Sequence, residues 1–255
     1  VIGNDSTRIV AIIPARYNSE RLPGKPLAEI GGKPMIQHVY ERTSRAKHVH
    51  AVLVATDDER ISSAVQSFGG HAVMTPATLK SGSDRIAFVA SSLPDTHIIV
   101  NVQGDEPLIE PSAIDEAIMP LLRDSAIVAG TLVRRIDNAV DLTNPNVVKV
   151  VCDKDGYALY FSRNAAPYGR DIPEQDLIAR HLYYKHIGLY VFRRDFLLKF
   201  SQMPQTPLER TEKLEQLRIL EHGYKIMAVL TAYDSIAVDT PEDLERVRTI
   251  MMQHT

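Results

Sequence analysis

Three stretches of the chain gather side chains suited to polyphosphate chemistry. The first is Pro14-Ala15-Arg16-Tyr17-Asn18-Ser19-Glu20-Arg21-Leu22-Pro23-Gly24-Lys25-Pro26, which sets three cations and a flexible turn directly after an apolar run. Gly and small residues leave backbone N–H groups open, and fixed positive charges neutralise phosphate oxygens, so the loop suits a triphosphate. A solvated loop with scattered basic residues is the plainer alternative, but position and charge density both favour the anion. Lys25 is followed by Pro26 rather than Ser or Thr, and the Gly spacing is wrong for a Walker A loop. The chain also lacks a GxGxxG segment, so a dinucleotide site has no support.

The second stretch is Asn101-Val102-Gln103-Gly104-Asp105-Glu106-Pro107. A carboxylate beside Gly at the end of an apolar strand can reach a metal bound to phosphates. Mg²⁺ usually takes only one or two protein carboxylates and completes its shell with phosphate and water. Asp105 is the metal candidate, and Glu106 reads as its solvated neighbour. The third stretch is Val238-Asp239-Thr240-Pro241-Glu242-Asp243-Leu244. Thr as N-cap, Pro at the first position and acids in the first turn make a good helix start in any protein. Asp239, just before that cap, reads equally as a second metal-facing carboxylate. Ser81-Gly82-Ser83-Asp84-Arg85 is a small-residue turn at a helix start. It could offer free N–H groups to a polar ligand, be capped by Ser83, or both. His38, His48 and His71 read as surface or packing residues, whereas His181 and His186 flank a Tyr/Lys cluster beside a strand.

The elements that must hold these groups alternate between strand and helix. Arg8–Pro14 is a continuous apolar run, as in a parallel strand buried on both faces. Further strands are expected at Ala51–Ala55, Ala72–Met74 and Ile98–Val102, with a loop from Gln103 to Pro111. Helices are expected after Pro34, with Ile36, Val39, Tyr40 and Thr43 on one face, around Ile61–Phe68, and from about Ser83. In the second half, Val147–Val151 and Tyr157–Phe161 flank Asp153-Lys154-Asp155-Gly156 and read as a β-hairpin. Asn164–Asp176 reads as a polar loop, Ile187–Phe192 as a strand, and Glu209–His222 as one helix closed by Gly223. Open α/β sheets bind ligands at the carboxyl ends of their strands, which is where the loops after Pro14 and Val102 lie.

The 255 residues suit one large α/β domain, and a hydrophobic share of 44% is enough for a sizeable core. A net charge of −3 gives no general affinity for nucleic acid or acidic membrane. No apolar run approaches the roughly 20 residues of a membrane span. Val1–Thr7 is polar and lacks a signal-peptide pattern, and the lone Cys152 makes a reducing cytoplasm the natural expectation. Cys152 is the only cysteine, which excludes an internal disulfide and a cysteine-based zinc site.

The ordered set IIPARYNSERLPGKPL, VATDDERI, MTPATLKSGSDRI, NVQGDEPLI, NPNVVKVV, YALYFSRNAAPYGRD, HIGLYVFRR, PLERTEKLEQLRILEHG and VDTPEDLERV resembles the CMP-KDO synthetase family, the 3-deoxy-manno-octulosonate cytidylyltransferases, over nearly the whole chain. The resemblance implies a single domain with a three-layer α/β nucleotidyltransferase fold and a mostly parallel central sheet. It also implies a β-rich, sugar-binding and dimerisation portion within about residues 134–210. The implied protein is a cytoplasmic homodimer that uses CTP and Mg²⁺ to activate an acidic 3-deoxy sugar for lipopolysaccharide or capsule synthesis. Carried over by motif, Ala15, Arg16, Ser19, Arg21 and Lys25 belong to the CTP loop, and Ser81 and Arg85 to the nucleotide side. Gln103 lies between nucleotide and sugar, and Asp105 and Asp239 are the metal carboxylates. Arg16, Lys25, Asp105 and Asp239 form the implied catalytic set. Arg163, His186, Tyr190, Glu215 and Gln216 form the sugar side. The family pattern is commonly SGT-E/D-R where this chain has SGSDR, and many members carry Gly-Val where this chain has Asp234-Ser235-Ile236-Ala237. These departures leave open 8-amino-KDO or a sialic acid as the sugar.

Overall fold

The computed structural model describes residues 7–18, 21–79, 81–180 and 182–253. The chain runs through β1 (Ile9–Ala15), a 3₁₀ turn (Lys25–Leu27), the short pair β2 (Glu29–Ile30) and β3 (Lys33–Pro34), α1 (Met35–Thr43) and β4 (Ala51–Thr56). It continues with α2 (Glu59–Ser67), β5 (Ala72–Met74), α3 (Gly82–Ser91), β6 (Ile98–Asn101), α4 (Pro111–Arg123) and β7 (Ala129–Arg135). Then come α5 (Ala139–Thr143), β8 (Lys149–Cys152), β9 (Ala158–Ser162), α6 (Glu174–Ala179) and β10 (Tyr184–Arg193). The last elements are α7 (Arg194–Ser201), α8 (Pro207–Glu212), α9 (Gln216–Glu221), β11 (Met227–Leu230) and α10 (Pro241–Gln253).

The main sheet has the order β11-β7-β10-β6-β1-β4-β5, with the β8–β9 hairpin joined to the N-terminal end of β10. β1, β4, β5 and β6 pair in parallel, as do β7 and β11, while β10 runs antiparallel to both neighbours. The continuous apolar run of β1 follows from burial on both sides. Ile9, Ala11 and Ile13 pack with Ile36, Val39, Ile61 and Ile114 on one face. Val10 and Ile12 pack with Ile86, Val89, Leu197 and Phe200 on the other. Helices α1, α2 and α4 thus cover one face and α3, α7 and α9 the other, giving the expected three layers. Each fully buried Ile or Val here stabilises the fold by roughly 1.5–3 kcal/mol.

Two sequence expectations change. The helix read over Glu209–His222 is broken: Lys213 takes a left-handed conformation (φ 57°) and its N–H closes α8 on the Glu209 carbonyl before α9 begins. The polar loop Asn164–Asp176 gives way at Glu174 to α6. Among the described residues, no helix is long and apolar enough to cross a membrane.

Candidate active site

The loop after β1 turns at Gly24, whose positive φ of 72° suits a residue without a side chain and whose N–H bonds the Tyr17 carbonyl at 2.9 Å. The 3₁₀ turn that follows fixes the backbone of Lys25. Its ammonium reaches Asp105 Oδ2 at 2.6 Å and Asp239 Oδ1 at 3.1 Å, and Arg21 Nη2 lies 3.1 Å from Asp239 Oδ2. Residues some 80 and 214 positions apart in sequence thereby converge on one charged centre. Burial alone would lower the Lys25 pKa, but the two carboxylates outweigh it and hold the ammonium above its ordinary value.

The convergence has a local cause on each side. Gly104 lies against the end of β1, and a Cβ placed there would sit 2.9 Å from the Pro14 carbonyl oxygen. Only Gly lets the Asp105 loop approach that closely. Gly104→Ala is expected to push the loop off β1, costing about 1–3 kcal/mol of stability and displacing Asp105. Urea unfolding alongside turnover measures both, and an unchanged midpoint with unchanged turnover would contradict the close-approach argument.

On the other side, the Val238 N–H bonds the Asp105 carbonyl at 2.9 Å and so lays the segment before α10 along the loop. Asp243 Oδ2 accepts from the backbone N–H groups of Asp239 and Thr240, and Asp243 N–H bonds Thr240 Oγ1. Thr240 and Asp243 thus cap the helix, as read from the sequence, and the Asp239 carboxylate is left to pair with Lys25 and Arg21. Glu106, expected to be solvated, is buried instead. Burial pushes its pKa up to about 7 against the opposing hydrogen bonds of Ser235 and Tyr233, whose hydroxyl lies 3.3 Å from Glu106 Oε2. This carboxyl fastens the 233–235 segment to the Asp105 loop from beneath.

On the α3/α7/α9 face of the sheet, reaching Gln103 two residues before Asp105, lies a cavity of about 200 Å³. Ser83, Asn101, Gln103, Tyr190, Glu215 and Gln216 contribute to its lining. Gln103 Nε2 donates to the Gly188 carbonyl at 3.1 Å, and Ser83 Oγ donates to Glu215 Oε2 at 2.7 Å. The latter bond pins the start of α9 against the start of α3. The break at Lys213 is what turns Glu215 and Gln216 toward this cavity.

Other expected residues are placed differently. The cap of α3 is Ser81, in a reciprocal box with Asp84, rather than Ser83. Arg16, following Ala15 at the end of β1, donates to the Leu79 carbonyl at 2.9 Å and so bridges toward the loop before α3. Arg85 is fully buried and bonds Asp57 Oδ2 at 2.8 Å and Thr75 Oγ1, so its guanidinium is committed within the fold, tying the start of α3 to the ends of β4 and β5. Arg163 is committed to the carbonyls of Glu212 and Pro145. The His186 Nε2 lies 2.9 Å from Thr131 Oγ1, and desolvation pulls its pKa to about 4, so the ring is neutral near pH 7. Neither Arg163 nor His186 lines the cavity, although the His186 ring contacts that of Tyr190, which does. Ser19 and His181 lie outside the described residues. Asn101 is a lining residue that sequence reasoning did not single out, its only signal being a polar residue closing an apolar strand, and Ser83, read from the sequence only as a cap, lines the cavity instead.

A parallel-rich three-layer sheet with cations and carboxylates converging at its strand ends is the architecture of a nucleotidyltransferase. A family model described as Cytidylyltransferase matches residues 10–226, and the chain belongs to that family. Over 245 residues it is 60% identical to the 3-deoxy-manno-octulosonate cytidylyltransferase of Geotalea uraniireducens, covering 94% of this chain and 97% of that protein. The enzyme of the same name from Geobacter metallireducens is 59% identical over 245 residues, covering 94% and 96%. A solved structure of CMP:2-keto-3-deoxy-manno-octonic acid synthetase complexed with CTP superposes with a TM-score of 0.91 at 44% identity, covering 98% of this chain and 100% of that one.

Proposed function

We propose that this enzyme transfers CMP from CTP to 3-deoxy-D-manno-octulosonate, forming CMP-KDO and releasing pyrophosphate. The observation that carries this reading is the convergence of Lys25 and Arg21 with Asp105 and Asp239 beside a polar cavity. In the reaction, the anomeric hydroxyl oxygen of the sugar bonds to the α-phosphorus of CTP. The bond from that phosphorus to the bridging oxygen of pyrophosphate breaks, and the hydroxyl proton is released. Arg16, Arg21 and Lys25 stabilise the charge that builds on the departing pyrophosphate, while the cavity residues orient the sugar. No covalent nucleophile is required, and Cys152 takes no part: burial raises its thiol pKa to about 11.

The donor set fits Mg²⁺, because two carboxylates already direct oxygens at one cationic nitrogen and hard oxygen ligands suit this ion. Bound on Asp105 and Asp239, Mg²⁺ would supply phosphate neutralisation and a lowered pKa for the attacking hydroxyl. The product belongs to lipopolysaccharide or capsule synthesis, and the reaction takes place in the cytoplasm. The test is pyrophosphate release from CTP with KDO, 8-amino-KDO and a sialic acid supplied separately. KDO should support the highest kcat/KM, and release with none of them would defeat the proposal.

The division into a phosphate half and a sugar half yields a kinetic expectation. Lys25 is a point charge suited to a β- or γ-phosphate, whereas Gln216 offers a donor and an acceptor but no charge. Lys25→Ala should weaken CTP use with any accepted sugar. Gln216→Ala should mainly raise the KM for the sugar, with CTP and sugar varied independently. If Gln216→Ala altered only the CTP dependence, the sugar half would have to lie elsewhere.

The enzyme acts as a homodimer through the β-rich portion. Leu159, Tyr168 and Leu182 in that portion expose apolar surface, which a two-fold contact would cover. Light scattering at micromolar concentration should give twice the chain mass, and a monomeric mass would contradict this assembly.

A further inference from the structure

Residues Ile99 and Asn101 of β6 point alternately with Ile98 and Val100, and Ile99 lies in the core beneath α3, α7 and α9. Asn101 therefore faces the same layer, opposite Tyr190 across the β6–β10 ladder, and it lines the cavity together with Gln103, Tyr190 and Phe192. It is only 3% exposed, and its Oδ1 has no hydrogen-bond partner among the described residues. The neighbouring polar groups differ: Gln103 Nε2 is held by Gly188 and the Ser83 hydroxyl by Glu215. A buried carbonyl oxygen without a donor is costly, and nothing in the packing of Phe192 or Phe200 calls for a carboxamide at this depth. A ligand that brings an O–H donor to the cavity floor removes that cost.

We propose that Asn101 is a specificity-determining residue whose side-chain oxygen accepts a hydrogen bond from a hydroxyl of the sugar. This rests on the cytidylyltransferase reading with an acidic 3-deoxy sugar. Because an apolar residue of similar size satisfies the core better than an unmatched carboxamide, stability and specificity should separate on substitution.

The test is Asn101→Leu, with thermal unfolding and steady-state kinetics in which CTP and sugar are varied separately. The melting temperature should equal or exceed that of the unsubstituted enzyme, and the KM for CTP should stay within about twofold. The kcat/KM for KDO should fall by roughly a hundredfold, because a site built around a hydroxyl loses its discrimination when its partner group is removed. A series of monodeoxy KDO analogues should contain one that the two proteins use equally well, identifying the hydroxyl concerned. Should Asn101→Leu fail to fold, Asn101→Ala carries the same comparison. If the folded variant retains kcat/KM for KDO within twofold, the carboxamide holds only a buried water and the proposal is overturned. It is equally overturned if every analogue suffers the same loss as KDO. Absence of pyrophosphate release by the unsubstituted enzyme with any acidic 3-deoxy sugar would instead defeat the underlying functional reading.

Discussion

Replacing Asp105 by Asn is expected to lower turnover at least about a hundredfold while leaving the fold intact. The carboxylate stands 2.6 Å from the Lys25 ammonium and shares it with Asp239, so the substitution removes one of two negative charges from a preorganised centre. Loss of a single such group typically costs a factor of about 10²–10³ in kcat. The amide is nearly isosteric with the acid, and the backbone carbonyl of Asp105 still takes the Val238 N–H, so the 238–239 segment keeps its place. Asp239→Asn should act in the same direction, with Arg21 also losing its partner. The measurement is kcat against Mg²⁺ concentration for both variants, together with Mn²⁺ binding to the free protein. Turnover near that of the unsubstituted enzyme at limiting Mg²⁺ would remove the residue from the metal role, whatever its place in the ion-pair cluster.

Such convergence was only partly legible in the sequence. The strands were, because an apolar run such as Ile9–Ile13 can be buried on both faces only in a covered parallel sheet. The cationic loop and Asp105 were legible because each follows such a run. Asp239 was ambiguous, since a helix start needs an acid nearby; in three dimensions Asp243 supplies that acid from within the first turn, which frees the Asp239 carboxylate for the ion-pair cluster. Arg85 reads like any other basic residue near a turn. Its burial depends on Asp57 and Thr75, which β4 and β5 deliver from 28 and 10 residues away. Glu106 resembles a solvated acid until the 233–235 segment closes over it. The break at Lys213 is the least legible feature, because Glu209–His222 has unbroken helical composition and the turn is selected by tertiary contacts across it.

Among those contacts, the Glu209–Arg218 pair should have the largest effect on stability. Arg218 donates from Nε to Glu209 Oε2 at 2.8 Å and from Nη2 to Oε1 at 2.5 Å, and both residues are buried. The pair spans the break, joining α8 to α9, and the Arg218 guanidinium lies over the Phe200 ring. Arg218→Met should destabilise the fold by about 3–5 kcal/mol, because Glu209 is left as an uncompensated buried charge. Changing both partners to Glu209→Leu and Arg218→Met should recover most of that loss, since the penalty comes from the orphaned charge rather than from an intrinsically strong bond. The pH dependence follows from the Glu209 pKa. Burial raises it, but the Arg218 hydrogen bond and charge and the Thr206 N–H outweigh burial and hold it below the ordinary value. The stability that the pair contributes is therefore present above the unfolded carboxyl pKa near 4.5 and disappears as pH falls through the lower folded value. In Arg218→Met only the burial and weaker hydrogen bonds remain, so Glu209 should accept a proton more readily and the deficit relative to the unsubstituted protein should shrink toward pH 4. Because Glu215 and Gln216 start the helix that this pair anchors, the variant's KM for the sugar should rise more than its KM for CTP. Urea unfolding at pH 7 and pH 4 of the single and double variants measures the effect. A single variant within 1 kcal/mol of the unsubstituted protein at pH 7, or a double variant as unstable as the single one, would show that the break between α8 and α9 is held by other contacts.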